Sequence, residues 1–170
     1  MVPLSSYRSC IVETPIGAAV LAFSDVGLVA LAVGSPDAAA ERLARDHGVV
    51  CDADPSRTDE VSGQFDEYFA GQRRVFDFDL DWRLTHGFAR DALRAVCEIP
   101  YGETASYGEV AAIAGRPRAA RAVGTACRTT PLSLVVPVHR VVRADGSLGE
   151  YGGNEEAKRY LVELELENAQ

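Results

Sequence analysis

The sequence predicts an α/β N-terminal domain followed by a mostly α C-terminal domain that carries a winged helix-turn-helix. Three observations predict it. Strand-like apolar runs punctuated by turn residues fill positions 7–34. The apolar period changes from two to helical across Asp81–Gly87, which places the domains at 1–82 and 87–170. Two short helical segments then flank Gly115-Arg116-Pro117, the tight glycine-containing joint of a helix-turn-helix.

Tyr7–Glu13, Ala18–Ser24 and Leu28–Gly34 are rich in Val, Ile, Leu and Ala. Thr14-Pro15-Ile16-Gly17 and Asp25-Val26-Gly27 separate them, so they read as an antiparallel meander. Ser35-Pro36-Asp37 opens a helix that ends near His47-Gly48, and His47 reads as a helix-end residue rather than a ligand. Asp52–Asp59, polar and containing Pro55, is a loop; Glu60–Phe69 is a second amphipathic helix stopped by Gly71. Val75–Leu80 alternates apolar and polar residues as a half-buried strand does, with Asp77 and Asp79 on its solvated side. A catalytic aspartate pair explains these two residues less simply than alternation.

Beyond the boundary, Phe88–Ile99, Ser106–Ala114 and Arg118–Arg128 read as helices, the last beginning just after Pro117. Leu132–Val136 is an apolar run, Val141–Arg143 with Asp145-Gly146-Ser147 predicts the hairpin of the wing, and Glu155–Leu166 is a closing helix. The second helix of a helix-turn-helix is the one that meets DNA. Here it bears the arginines.

With 47% hydrophobic residues the chain can bury a core. Met1–Ser6 lacks the charged start and apolar run of a signal peptide, and no stretch is long enough to span a bilayer, so a cytoplasmic protein with no membrane association is expected. Cys10, Cys51, Cys97 and Cys127 are scattered, which predicts no zinc site, no disulfide framework and no cofactor; Cys10 and Cys97 read as buried structural thiols. The net charge of -8 opposes nucleic acid, but its distribution favours it. Residues 115–142 carry Arg116, Arg118, Arg121, Arg128 and Arg140 with no Asp or Glu, and Arg143 follows at once. Local potential decides docking. A solvated arginine helix that touches nothing is the blander reading, and the coincidence of the run with the motifs below speaks against it.

Those motifs are Ile99-Pro100-Tyr101-Gly102-Glu103-Thr104, Ser106-Tyr107-Gly108-Glu109, Ala119-Ala120-Arg121-Ala122-Val123-Gly124, Pro137-x-His139-Arg140-Val141-Val142 and Tyr151-Gly152-Gly153. In this order and at this spacing they resemble the O6-alkylguanine-DNA alkyltransferases, the methylated-DNA–protein-cysteine methyltransferases. Glu13-Thr14-Pro15-Ile16-Gly17 is similar to the family's first domain, whereas Phe88-Ala89-Arg90-Asp91-Ala92-Leu93 matches its Phe-x-x-x-Val-Trp only at Phe88. The resemblance implies an RNase H-like α/β N-terminal domain and a winged helix-turn-helix C-terminal domain. It also implies a protein that binds the minor groove of double-stranded DNA, flips O6-alkylguanine out of the stack and takes its alkyl group irreversibly on a cysteine.

By position in the family's pattern, Arg121 fills the gap left by the flipped base and Tyr107 crowds the 3′ phosphate; Arg118 and Arg128, on or near one helical face with Arg121, are expected to contact DNA phosphate. Small Ala119, Ala120, Ala122 and Gly124 let the helix approach closely. Pro137, position 138, Tyr107, Tyr151, Gly152 and Gly153 line the base pocket. The family's cysteine works because a thiolate is a soft and reactive nucleophile. A histidine, matched by His139, lowers its pKa through water, and a distal glutamate, matched by Glu165, orients that histidine. Alone, His139 would read as a satisfied core histidine; its surround makes it part of such a relay.

The departures bear on function. Val138 stands where the family has its cysteine, Thr130 where it has an asparagine, and Asn154 where it has a glycine. Alkyltransferase-like proteins also lack the cysteine, often carrying tryptophan there, and hand the bound lesion to nucleotide excision repair. Three functions follow: a monomeric, non-catalytic DNA-binding homologue that recognises O6-alkylguanine and works with a repair-pathway protein; an enzyme that uses a displaced thiol, Cys127; or a winged-helix regulatory module.

Overall fold

A computed structural model describes residues 7–170; the Met1–Ser6 segment read above lies outside the described residues. The chain divides into two compact units, 1–84 and 85–170.

In the first unit, β1 (Tyr7–Thr14), β2 (Gly17–Phe23) and β3 (Leu28–Gly34) are antiparallel neighbours. The β1–β2 turn is tied by Thr14, whose Oγ1 donates to the Gly17 carbonyl at 2.6 Å and accepts from the Ile16 amide at 3.2 Å. Helix α1 (Pro36–His47) follows, capped by Ser35 at its start and by Gly48, with φ of 66°, at its end. Its Ala39 and Leu43 pack on Val20, Ala22, Ala30 and Ala32.

The segment expected as a loop holds more structure. Cys51–Ala53 forms β4, parallel to β1, giving the order β3-β2-β1-β4. A single 3-10 turn at Pro55–Arg57 then leads into α2 (Thr58–Phe69). Conversely, the strand expected at Val75–Leu80 is reduced to one bridge between Leu80 and Leu28. Its period-two pattern is real but serves aromatic packing. Phe76 lies 5.0 Å from Phe65 and 4.9 Å from Tyr68, and Phe78 lies 6.1 Å from Phe23, while Asp77 and Asp79 face solvent. The Gln64 amide replaces a neighbouring strand, accepting from the Asp77 amide at 2.7 Å and donating to its carbonyl at 3.3 Å.

The second unit holds α3 (Gly87–Val96), β5 (Ala105–Ser106), α4 (Tyr107–Ile113) and α5 (Ala120–Thr129). After a 3-10 turn at Val138–Arg140 come β6 (Val141–Val142) and α6 (Glu155–Asn168). Ser106 and Glu109 form a reciprocal capping box on α4. Helix α5 begins two residues later than expected. Pro117 sits in a turn closed by the Ala119 amide on the Arg116 carbonyl at 2.9 Å, so Arg118 and Ala119 precede the helix.

The wing hairpin also differs. The Arg143–Ser147 turn closes, with the Arg143 amide 2.9 Å from the Ser147 carbonyl, but no strand returns. β6 pairs instead in parallel with β5. Gly149, Gly152 and Gly153, all at positive φ, break the extended conformation that a return strand needs. Among the described residues no helix is long and apolar enough to cross a membrane.

Candidate functional site

Helices α4, α5 and α6, with the chain that joins the last two, build two adjoining features: a buried charge cluster and a cleft. The stretch after α5 starts at Thr130, whose hydroxyl accepts from the Leu132 amide at 3.0 Å and so closes the first bend. Leu134 is buried at a φ of 74°, a left-handed conformation that a leucine adopts only under the constraint of its surroundings. The chain then enters the 3-10 turn that contains Val138, 3% exposed.

Next to Val138, His139 is 1% exposed and its Nε2 lies 2.7 Å from Glu165 Oε1. Glu165, on α6 and 2% exposed, also accepts from Arg140 Nε at 2.8 Å and Nη2 at 2.9 Å. The remaining guanidinium nitrogen, Nη1, donates to the Ile99 carbonyl at 2.7 Å. One carboxylate thus serves both a histidine and a forked arginine. Burial pushes the Glu165 carboxyl up, but the hydrogen bonds from His139 and Arg140 outweigh it and hold the group at about 2. Burial lowers the His139 pKa, against the pull of Glu165, so the ring is neutral at pH 7. Its Nδ1 is buried without a hydrogen-bond partner.

Lys158 completes the cluster. It is 1% exposed, donates to the Val141 carbonyl at 2.6 Å and lies 5.9 Å from the centre of the Tyr107 ring. Burial, helped by the charge of Arg143, lowers it to about 8. The Tyr151 phenol is sunk near Glu165, and burial together with that charge raises its pKa.

The cleft, about 170 Å³, opens beside this cluster. Tyr107 of α4 and Gly124, Cys127 and Arg128 of α5 form one side. Arg143, Gly149 and Glu150 form the other. A Cβ on Gly149 would stand 3.0 Å from the Tyr107 hydroxyl and 3.7 Å from Lys158 Nζ, so that wall closes tightly on the tyrosine. Burial drives the Cys127 thiol up to about 12 despite the nearby Lys158 charge. Cys97 corrects the reading of two buried thiols: Cys10 is buried, whereas Cys97 is exposed at the end of α3, although the atoms crowding its sulfur still raise it to about 11.

The expected site residues therefore fall into groups. Tyr107, Gly124, Cys127 and Arg128 meet at the cleft; His139 and Glu165 meet in the cluster, with Tyr151 near it. Pro137 and Val138 are buried, and Gly152 and Gly153 are exposed; none of these four lines the cleft. On α5, Val123 and Ala126 are buried while Arg121, Ala122 and Arg128 face solvent, Arg121 and Arg128 being two turns apart on one face; Ala119 and Ala120 are half-buried, and Arg118 is exposed. Arg140, counted above in the basic run, is buried and paired with Glu165, which removes it from any surface footprint. Sequence reasoning missed Lys158 and Glu150, and placed Arg143 in the basic run without assigning it to the cleft. Lys158 lies seven residues before Glu165 on α6, a spacing that puts both on one helical face and is a signal that could have found it. Among the described residues no three or more His, Cys, Asp or Glu side chains are placed to hold a metal ion.

The chain matches two family models, 6-O-methylguanine DNA methyltransferase, ribonuclease-like domain, over residues 7–82, and 6-O-methylguanine DNA methyltransferase, DNA binding domain, over residues 87–167. It is 47% identical over 116 residues to the methylated-DNA–protein-cysteine methyltransferase of Mycobacterium tuberculosis, covering 68% of this chain and 70% of that protein. The crystal structure of the O6-methylguanine methyltransferase of the same organism aligns with a TM-score of 0.78 and 38% identity, over 97% of this chain and 94% of the other. A structure of the M. tuberculosis protein in complex with DNA aligns with a TM-score of 0.80 and 39% identity, over 96% and 94%. The ribonuclease-like and DNA-binding domains are both present, and the chain belongs to the 6-O-methylguanine DNA methyltransferase family, DNA-binding alkyltransferases of DNA repair.

Proposed function

We propose that this chain binds double-stranded DNA through α5, turns O6-alkylguanine out of the stack and holds it without accepting the alkyl group, marking the damage for a repair-pathway protein. Val138 carries the reading. A buried valine stands between Pro137 and His139, at the position of the family's acceptor cysteine, while His139 and Glu165 keep their 2.7 Å contact. A valine has no lone pair with which to attack an alkyl carbon.

Cys127 is a poor substitute. With its pKa at about 12, only roughly one molecule in 10⁵ carries the thiolate at pH 7. In this reading Arg121 enters the gap left by the base and Arg128, with Arg118, contacts phosphate. Ala119, Ala120 and Gly124 permit close approach, and Tyr107 drives rotation. The solvent-facing positions of Arg121 and Arg128 support it. Pro137, Tyr151, Gly152 and Gly153 would complete the base pocket once DNA is bound.

Two measurements on one pair of matched duplexes, with and without O6-methylguanine, test this. Titration is expected to give tighter binding to the lesion, and intact-protein mass no change after incubation. Equal affinity for both duplexes would leave a regulatory winged-helix module. A stoichiometric methyl adduct on Cys127 would make the chain an enzyme with a displaced acceptor.

A further inference from the structure

The cleft has an uneven inventory of hydrogen-bonding groups. Arg128 and Arg143 on its walls, and the Lys158 ammonium behind Gly149, are donors only; with Arg128 taken up by phosphate in the reading above, Arg143 and Lys158 remain for a base. The Cys127 thiol, held protonated, is a weak donor. Glu150 is the one side chain on the walls that only accepts, and it enters no ion pair among the described residues, although two guanidinium groups share the cleft with it. An exposed carboxylate with no partner is free to take a ligand's donor.

The chemistry of the base supplies the complement. Alkylation at O6 removes the N1 proton of guanine. O6, N1, N3 and N7 are then all acceptors, and the exocyclic 2-amino group is the only donor left on the base. Several donors and one carboxylate match several acceptors and one amine. We propose that Glu150 is a specificity-determining residue, whose carboxylate accepts a hydrogen bond from the 2-amino group of the base seated in the cleft. The inference rests on the reading that the cleft receives the flipped base. Alkylated bases without that amine, such as an O6-alkylhypoxanthine or an O4-alkylthymine, leave the carboxylate desolvated and unpaired, and a site built around a hydrogen bond rejects the analogue that lacks it. Unmodified guanine keeps the amine, so Glu150 reads which base is present and leaves the alkyl group to be sensed elsewhere in the site.

Four duplexes identical except for one base, guanine, hypoxanthine, O6-methylguanine or O6-methylhypoxanthine, separate these two kinds of recognition. The wild-type chain is expected to bind O6-methylguanine roughly tenfold to a hundredfold more tightly than O6-methylhypoxanthine, the range of a hydrogen bond to a charged group. Glu150→Ala should shrink that gap to under about threefold by weakening the amine-bearing duplex. Glu150→Gln, whose amide oxygen still accepts, should retain part of it. Glu150 is exposed, so both variants should melt as the wild type does. A wild-type gap below about threefold, or one that survives Glu150→Ala intact, overturns the proposal. If guanine and O6-methylguanine bind alike while each still beats its amine-free partner through Glu150, lesion sensing has failed and the role of Glu150 stands. Four equal affinities sink both.

Discussion

Residues 1–84 carry seven Lys and Arg against fourteen Asp and Glu, and residues 85–170 carry ten against eleven. It is nevertheless the nearly neutral unit that buries its charges. Among the described residues of the first unit Asp81 is the only buried Asp, Glu, Lys, Arg or His side chain; it is held by Ser24 and, at 2.6 Å, by Arg83. The second unit buries His139, Arg140, Lys158 and Glu165 within 27 consecutive positions. Apolar residues of similar volume would fill such space with equal or greater stability. A fold that needed only a core would resemble the first unit. The cluster in the second unit ties His139 and Arg140 to Glu165 and so holds the Val138–Arg140 turn against α6.

The largest effect expected is chemical, and it asks whether the cluster is only a clasp. Val138→Cys restores a thiol beside His139 with little change in volume. Incubation with an O6-methylguanine duplex should convert a chain that gains no mass into one that gains a single methyl group. Adding Thr130→Asn should raise the rate further, and only in the background that carries the thiol. That gain should be small, because the Thr130 hydroxyl already holds the Leu132 amide. A folded double variant that takes up no methyl group would reduce the cluster to a structural device.

Next comes stability. Glu165→Ala leaves Arg140 and His139 buried and unpaired, and should destabilise the second unit by about 3–5 kcal/mol in a denaturant melt. The pH dependence follows from the same contacts. Glu165 sits at about 2 in the folded chain against an ordinary value of 4.5, so its contribution, about 3 kcal/mol, is complete above pH 4.5 and disappears as the pH falls towards 2. The depressed His139 acts in the same direction, because below about pH 6.5 the unfolded chain takes up a proton that the folded one refuses. Glu165→Gln should flatten the acid limb of the second unit's transition. If the first unit proves the more acid-sensitive of the two, the contrast drawn between them fails.

A smaller effect belongs to the surface of α5. Arg128→Ala should weaken binding to all duplexes by a similar factor, about tenfold or less, and reduce the dependence of affinity on salt. Arg121→Ala should weaken lesion binding more than binding to undamaged DNA, since only the flipped state uses it. Equal losses on both duplexes in titrations would argue against flipping.

How legible these features were depends on the range of the interactions behind them. The meander and the helices were legible because local turn chemistry and period fix them: Thr14 ties its own turn, and Ser106 with Glu109 caps its own helix. Val75–Leu80 was misread because the partners of its alternating residues, Phe65, Tyr68 and Gln64, lie on α2, and period two does not distinguish a ladder from an aromatic cluster. β4 was missed because three residues carry too little pattern, and their partner β1 is more than forty residues away. At the site, His139 and Glu165 were legible from a sequence pattern. The second partner of Glu165 was not: Arg140 is an arginine in a run of arginines, and only burial separates it from the others.

Asn154 carries the smallest prediction and the most local one. Judged by the sequence pattern it is a departure beside the base pocket, and it invites the view that the pocket has been released from constraint. The structure gives it a different occupation. Its side-chain Oδ1 accepts from the Ala157 amide at 3.1 Å, capping the first turn of α6, and its φ of -119° is one that any residue adopts, so no glycine is required there. Asn154→Ala should therefore lower the stability of the second unit by about 1 kcal/mol and Asn154→Gly by a few tenths, the ordinary order for an N-cap. Lys158 and Glu165 lie one and three turns further along the helix and should keep their contacts. The first unit's melt and the affinity for O6-methylguanine duplex should not change. An Asn154→Gly variant that bound the lesion several times better, with unaltered stability, would return this residue to the pocket and remove it from the cap.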